Sequence, residues 1–452
     1  MSAIDQYIRL YNDNREAIDA HSAPLLNARR AEALAALDGK VLPRRGDEGY
    51  EKTSVEDMMS PDFGVNVNRV AIPVDVAATF RCDVPNMSTL LAFVVNDTFI
   101  PSSTLSRRLP EGVIVDSLAR AAVSRPELVG RYYGTLAPLS DPAVALNTLL
   151  VQDGVFVYVP RGVRMEKPLQ LVNIFNAPAD MMGVRRVLVV VEDDAEVQIL
   201  VCDHTQPRDR RYHSSQVVEL FAGRGSRVDF YDIEESSEQT SRLSQLYARQ
   251  EQGSNLLVNG MTLVGGTTRN EYTVDLAGEH CETRLAGMAI GTGHQHIDNS
   301  SNINHRVPRC HSTQLFKYVL DDESTGAFEG AILVAPGAQF TEAYQSNRNI
   351  LASFDARMHT KPQLEIYNDD VKCSHGATTG QLDANALFYM RQRGIPEREA
   401  RMMLMQAFMV DVIDTVRMEG LRDRLRHLVE KRFRGQHALC ADCGATTNCN
   451  PA

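Results

Sequence analysis

The chain has 452 residues, enough for a large core, and 43% of them are hydrophobic while 23% are charged. Its 58 acidic residues outnumber its 47 basic residues, and the formal net charge of −11 argues against a broad nucleic-acid or anionic-membrane surface. No run of about 18 apolar residues occurs, and residues 1–30 lack the apolar core of a signal peptide. Eight cysteines are too few for a disulfide framework in a chain of this length. We therefore predict a cytoplasmic protein whose cysteines are free thiols.

The first 150 residues are predicted to form a helical and mixed N-terminal region. Residues 1–37 place Ile4, Ile8 and Tyr11 at helical intervals and are rich in Ala, Arg and Leu. Residues 38–60 are polar and are broken by glycine and proline, which predicts a linker or an ordered loop. Strand-like and helical pieces follow, including the predicted helix VDSLARAAVSRPELVGRYY.

Residues 151–382 are predicted to form the β core of the protein. Short β-rich runs such as VFVYVP, LQLVNIF and SNLLVNGMTLV are separated by Gly, Asp and Asn turns, with no long helical period between them. Small residues at the starts of strands recur about every 25 to 30 residues, which is the length of one coil in a solenoid. The pattern favours a parallel β-helix, and a β-sandwich is the structural alternative.

Residues 383–435 return to a helical period, and residues 436–452 form a cysteine-bearing tail. Pro396, ahead of Glu397 and Glu399, predicts the start of a helix. The spacing predicts that one side of this helix contains Ala400, Met403, Leu404, Ala407, Phe408, Asp411 and Val412. Such a stripe packs within its own region in most proteins, and a partner helix is the alternative.

One short motif, KCSHGATTGQL, carries the strongest chemical signal. In an extended segment Cys373 and His375 point to the same side, because successive side chains alternate between faces. A thiolate beside an imidazole suits a soft metal, a sulfur carrier or a nucleophile, and the spacing does not choose among these chemistries. A buried thiol next to a surface histidine, without a joint role, is the simpler alternative.

Other motifs exclude some functions and leave two further candidate metal sites. Gly39-Lys40 lacks the rest of a phosphate-binding loop, and neither GxSxG nor HExxH occurs, so no bound nucleotide and no common hydrolase signature is predicted. The segment 291–312 is rich in histidine, but its spacings match no familiar ligand set. The tail contains His437 and three cysteines, and its possible soft-metal ligands are Cys440, Cys443 and Cys449.

Longer segments resemble a known family. They are LNTLLVQDGVFVYVPRGVRMEKPLQLVN (146–173), AFEGAILVAPGAQFTEAYQSNRNILAS (327–353) and KPQLEIYNDDVKCSHGATTGQLDANALFYMRQRGI (361–395). Together they resemble the SufD family of the SUF iron–sulfur cluster assembly system. Gly376 after His375 favours SufD over its relative SufB, which has a glutamate there. The loop LPRRGDEGYEKTSV also resembles the family, although Tyr50 stands where a tryptophan is usual.

The resemblance implies a right-handed parallel β-helix between helical N- and C-terminal regions. It implies a non-enzymatic scaffold subunit that joins SufB and two copies of the ATPase SufC to build nascent iron–sulfur clusters. Cys373 and His375 would lie at the SufB–SufD interface and share a transient cluster or iron with SufB. The helices of residues 383–435 would dock SufC, and their candidate contacts are Phe388, Met403, Phe408 and Val412. The isolated chain is expected to form a homodimer, and neither nucleic acid nor membrane is an expected partner.

Two other functions remain open on the sequence. The first is a stand-alone metal-binding protein that uses the cysteine tail. The second is a cytosolic carbohydrate-active enzyme, because parallel β-helices also serve as polysaccharide lyases and hydrolases.

Overall fold

A computed structural model describes residues 2–70, 88–206 and 209–435, and it divides them into two compact units. Of the described residues, the first unit holds 2–70 and 89–380, and the second holds Ser88 and 381–435. The helices are α1 (Ala3–Ala20), α2 (Pro24–Ala28), α3 (Arg30–Ala36), α4 (Val55–Met59), α5 (Ser103–Arg108), α6 (Leu118–Ser124), α7 (Pro126–Tyr132), α8 (Pro142–Leu150), α9 (Ala384–Gln392), α10 (Glu397–Ile413) and α11 (Glu419–Phe433).

The strands belong to the first unit. They are β1 (Leu90–Val95), β2 (Thr98–Ile100), β3 (Ile114–Ser117), β4 (Gly154–Val159), β5 (Leu169–Phe175), β6 (Met181–Val191), β7 (Glu196–Thr205), β8 (Tyr212–Ala222), β9 (Arg227–Glu235), β10 (Thr240–Gln250), β11 (Asn255–Val264), β12 (Thr267–Leu276), β13 (Glu282–Gly291), β14 (His296–His305), β15 (His311–Leu320), β16 (Thr325–Val334), β17 (Glu342–Leu351), β18 (Arg357–Ile366) and β19 (Lys372–Gly380).

These strands wind into a β-solenoid of about eight turns, which confirms the predicted architecture. From β4 onward, even-numbered strands form one parallel sheet and odd-numbered strands the other, so each coil gives one strand to each sheet. Thr267 pairs with His296, and His296 pairs with Thr325, so that one coil is 29 residues long here. The β-sandwich alternative is wrong because strands one coil apart are parallel and in register.

The interior of the solenoid is built from columns of side chains that repeat at the same register. Every second residue of a strand points inward, and in-register pairing places it directly on its counterpart in the next coil. One such column of buried side chains consists of Val157, Val189, Leu220, Ala248, Val274, Ile303 and Ile332. This repetition explains why the sequence signal is a long recurrence rather than a helical period.

One corner of the solenoid also repeats. Before successive odd-numbered strands the backbone passes through the left-handed region, at Gly225 (φ +62°), Gly253 (φ +70°), His280 (φ +61°) and Arg309 (φ +60°). The residue that follows each of these positions is small and buried; these residues are Ser226, Ser254, Cys281 and Cys310. The turn therefore leaves room for only a small side chain beneath it.

A buried ion pair ties the N-terminal region to the outer face of the even-numbered sheet. Glu219 of β8 pairs with Arg186 of β6 at 2.8 Å, and both side chains are almost fully buried. The same carboxylate accepts the backbone N–H groups of Gly134 (2.8 Å), Leu136 (2.9 Å) and Ala137 (3.3 Å) in the loop after α7. The loop is thereby fixed on the sheet by a single side chain.

The loop that contains Tyr50 packs further along the same face. The Tyr50 hydroxyl donates to the Glu271 carboxylate at 2.8 Å, and the Arg269 guanidinium lies 4.0 Å from the centre of the Tyr50 ring. Thr53 hydrogen-bonds His296 at 2.8 Å. These contacts make residues 49–53 an ordered covering of the sheet.

The second unit is a small helical assembly in which α10 packs against α9 and α11. The residues that α10 buries are Ala400, Met402, Met405, Met409, Val412 and Ile413. Met403 and Ala407 are exposed, so the stripe predicted from the sequence coincides with the buried side only in part. Across the described ranges 2–70, 88–206 and 209–435, no helix has the length and apolar character that crossing a bilayer requires.

Candidate functional site

Cys373 and His375 lie on β19, the last strand of the ten-stranded sheet. β19 pairs on one side with β17, where Ala343 stands opposite Cys373 and Gln345 opposite His375. Within the described chain no strand pairs with its other side. The two site residues are therefore on an open sheet edge, on the same face of one strand, as the sequence predicts.

The main chain of β19 directs half of its polar groups to that open edge. The N–H of Lys372 donates to the Thr341 carbonyl at 2.9 Å, so the backbone N–H and C=O of Lys372 point to β17. In a parallel strand the N–H and C=O of one residue point to one side and those of the next residue to the other. The residues whose polar backbone groups point to the open edge are Cys373, His375, Ala377 and Thr379.

The Cys373 side chain faces the end of an apolar cluster. It is half-buried and packs with Ile332, Val334, Ala338 and Ala343. Burial raises the pKa of the Cys373 thiol above its ordinary value. The sulfur is therefore a neutral thiol at neutral pH until a metal or a base removes its proton.

His375 is the last residue of a column of polar side chains in the final coils. Gln314, Gln345 and His375 stand in register on β15, β17 and β19, and the imidazole itself is exposed. Gln345 Nε2 donates to Gln314 Oε1 at 3.2 Å, and Ser301 Oγ donates to the same oxygen at 2.7 Å. Gln345 Oε1 and Gln314 Nε2 are buried without a hydrogen-bond partner among the described residues. In this column the inward side chains thus change from apolar, at Leu285 of β13, to polar just below the site.

Large apolar side chains are exposed around this end of the solenoid. Five of them occur between residues 340 and 367; they are Phe340, Tyr344, Phe354, Ile366 and Tyr367. Phe354 is 86% exposed, whereas no large apolar side chain among the described residues from 124 to 339 is exposed. Apolar exposure concentrated at one end is typical of a surface that binds another protein.

Comparison with known proteins identifies the family. The family described as "SUF system FeS cluster assembly, SufBD core domain" matches residues 173–408, and "SufBD protein N-terminal region" matches residues 1–171. The chain belongs to the SufBD family. This membership confirms the resemblance seen in the sequence and connects the protein with iron–sulfur cluster assembly by the SUF system.

Similar proteins within the SufBD family come from several bacteria. An iron–sulfur cluster assembly SufBD family protein of Synechocystis is 28% identical over 438 residues, covering 95% of this chain and 96% of the relative. The iron–sulfur cluster assembly protein SufD of Escherichia coli is 36% identical over 173 residues, 38% of this chain and 41% of the relative. SufD of Bacillus subtilis is 27% identical over 358 residues, 78% and 81% of the two chains.

The histidine-rich segment 291–312 of this SufBD family member does not form one site. His294 is an exposed turn residue 3.4 Å from Glu323, whereas His296 lies on the outer face, bound to Thr53. His305 points inward, where it hydrogen-bonds Ser312 at 2.8 Å and burial lowers its pKa to about 4. Among residues 2–70, 88–206 and 209–435, no cluster of three His, Cys, Asp or Glu side chains suits a metal ion.

The remaining predicted residues occupy different environments. Phe388 and Met403 are exposed, at 62% and 42%, Phe408 is half-buried, and Val412 is buried. The tail residues Cys440, Cys443 and Cys449 lie outside the described residues.

Sequence reasoning missed the glutamine column beneath His375. A signal for it exists in YQSNRN, where Gln345, Asn347 and Asn349 occupy alternate inward positions of β17. The position of Gln345 is apolar in every odd-numbered strand from β5 to β13, as at Leu285. Read together with His375 and Thr379, this alternation would have predicted a polar interior at the end of the solenoid.

Proposed function

We propose that this SufBD family protein is the SufD-type scaffold subunit of a SUF complex and is not itself an enzyme. In this proposal it joins SufB and two copies of the ATPase SufC, and the complex assembles nascent iron–sulfur clusters. The observation that carries the proposal is the open edge of β19, which presents Cys373 and His375 together at an exposed end of the solenoid.

The open edge supports a specific mode of docking. The outward N–H and C=O groups of β19 can extend their ladder onto the edge strand of a second solenoid. The exposed Phe354 and Tyr367 then lose contact with water, which adds hydrophobic stabilisation to the hydrogen bonds. SufB is the proposed occupant, since it is the relative whose solenoid is expected to have a matching end. Without SufB, a second copy of this chain is the proposed occupant.

The chemistry of the half-site also suits this assignment. Thiolate and imidazole are good iron ligands, but two side chains leave most of the coordination shell of an iron ion open. A facing subunit can supply the missing ligands. Because burial raises the pKa of the Cys373 thiol, the thiol keeps its proton until iron binds and releases the proton on binding. The cluster is the cargo of the complex and is shared with SufB.

The C-terminal helices are the proposed docking element for SufC. The exposed apolar side chains Phe388 and Met403 are suited to contact, whereas the buried Val412 is suited to holding α10 in its helical unit. ATP-driven pairing of two SufC subunits would pull on these helices and open the SufB–SufD interface, a shift between two arrangements. In this proposal nucleotide binds SufC and not this chain.

The compartment proposed for the complex is the cytoplasm. The four cysteines of the described residues, Cys202, Cys281, Cys310 and Cys373, form no disulfide with one another. Free thiols are typical of proteins in a reducing compartment.

The test is co-expression of the chain with SufB and SufC, followed by anaerobic cluster reconstitution on the purified complex. We expect His375→Ala, and to a smaller extent Cys373→Ser, to lower the cluster content by about tenfold, the usual cost of disturbing a ligand set, while the complex stays intact. Ser374→Ala is the matched control, because Ser374 lies on the same strand but on the opposite face. Wild-type cluster content in His375→Ala would remove this residue from the mechanism. Truncation after Gly435 tests the tail, and cluster loss in that variant alone would transfer the metal chemistry to its cysteines.

A further inference from the structure

Two cysteines occupy the same corner position in consecutive coils. Cys281 directly precedes β13 and Cys310 directly precedes β15, and the first residues of these strands, Glu282 and His311, are paired in register. The His311 N–H donates to the Cys281 carbonyl at 2.9 Å. In-register parallel neighbours have Cα atoms about 4.8 Å apart, which lies within the range that a disulfide spans.

The two sulfur atoms also converge. Cys281 Sγ is 2.9 Å and Cys310 Sγ is 3.3 Å from the same carbonyl oxygen, that of Gly278. The Cys310 thiol hydrogen-bonds the Cys281 sulfur, which lowers the pKa of Cys281 to about 7, while the pKa of Cys310 is raised. One thiol of the pair is therefore ready to ionise, and the other stays protonated beside it.

The pair lies immediately under the surface. Both cysteines are buried, yet the residues just before them, His280 and Arg309, have side chains that are 59% and 50% exposed. The turn backbone, including the Gly278 carbonyl, contacts the sulfurs directly. We expect local opening of this corner to expose the thiols without unfolding of the solenoid.

We propose that Cys281 and Cys310 are a redox-active dithiol, which a low-molecular-weight disulfide oxidises to an intrachain disulfide that links two consecutive coils. The Cys281 thiolate attacks one sulfur of the reagent R–S–S–R, forms a mixed disulfide and releases RS⁻. Cys310 then loses its proton and attacks the Cys281 sulfur, which forms the intrachain bond and releases the second RS⁻. The two protein thiols lose two protons and two electrons, and the reagent is reduced to two thiols.

The test is incubation of the folded full chain with oxidised glutathione, followed by acid quenching, alkylation and peptide mapping. We expect a peptide pair joined through Cys281 and Cys310, with loss of alkylation at these two cysteines and its recovery on reduction. Cys310→Ser should stop at glutathione bound to Cys281. The serine variants are expected to fold, because Ser226 and Ser254 occupy the same corner in neighbouring coils.

Two controls decide between the outcomes. Cys202→Ser, which removes another buried cysteine, should leave the linked peptide unchanged. The chain unfolded in urea reports whether the reagent is active. If the folded protein keeps both Cys281 and Cys310 alkylatable while the unfolded chain is oxidised, or if either of these two cysteines is joined to a different cysteine, the proposal is wrong.

Discussion

Glu219 provides a sharp test of how the N-terminal region is held on the solenoid. Its carboxylate is fully buried and pairs with Arg186 at 2.8 Å. One oxygen accepts the N–H groups of Leu136 and Ala137, and the other accepts that of Gly134 together with the guanidinium. Replacement by glutamine keeps the shape of the side chain but removes its charge, and one of its two acceptor oxygens becomes an NH2 group.

The magnitude follows from these contacts. Breaking a buried ion pair by neutralising one partner costs about 3–5 kcal/mol, because the other charge is left without compensation. Glu219→Gln should therefore lower the free energy of unfolding by about 3 kcal/mol, and Glu219→Ala by about 5 kcal/mol, since alanine also leaves three backbone N–H groups unpaired. In Arg186→Met combined with Glu219→Gln the loss should be smaller than in Glu219→Gln alone, because no uncompensated charge remains.

The assay is urea denaturation followed by circular dichroism, with the free energy of unfolding extrapolated to water. Glu196→Gln is the matched control, because Glu196 forms an exposed ion pair with Arg227 at 3.7 Å, and its loss should cost less than about 1 kcal/mol. If Glu219→Gln stays within about 1 kcal/mol of the wild type, the buried pair does not hold this region and the reasoning fails.

Three further predictions concern pH, docking and the N-terminal loop. Burial raises the pKa of Glu234 to about 7, so the wild type loses stability as pH rises from the unfolded value of about 4.5 through about 7. Across this pH range the free energy of unfolding, measured by urea denaturation, should fall by about 3 kcal/mol less in Glu234→Gln than in the wild type. An equal pH dependence of the free energy of unfolding in the two proteins would contradict this. Ala377→Pro removes one outward N–H of β19 and should weaken SufB binding, measured by calorimetry, about fivefold to tenfold. If Ala377→Val, which keeps the N–H, weakens binding equally, loss of the N–H is not the cause. Tyr50→Phe should lower the free energy of unfolding by about 1–2 kcal/mol through loss of the hydrogen bond to Glu271, whereas a variant as stable as the wild type would show that this bond is dispensable.

The solenoid was predictable from the sequence because its determinants are local and repeat. Several consecutive coils contain a turn residue with left-handed backbone and a small residue after it, as in Gly225-Ser226 and Gly253-Ser254. Alternation in each strand then sets which side chains point inward. The same alternation predicted that Cys373 and His375 share a face, which the structure confirms.

Other features depend on register between coils, which the sequence does not display. Cys281 and Cys310 are 29 positions apart, and only the in-register pairing of β13 with β15 brings their sulfurs together. The open edge of β19 is likewise a property of the last coil rather than of the motif. In α10 the spacing allowed more than one apolar side, and packing against α9 and α11 selected Met402, Met405 and Met409 instead of Met403.

Hydrogen exchange along β19, resolved to single residues, tests the central claim most directly. In the isolated chain, kept monomeric by dilution, the N–H groups of Ser374, Gly376 and Thr378 should already exchange slowly, because they face β17. Binding of SufB should slow the N–H groups that point to the open edge, those of Cys373, His375, Ala377 and Thr379. If these four exchange equally fast in the free chain and in the complex, the partner docks elsewhere and the account of the site is wrong.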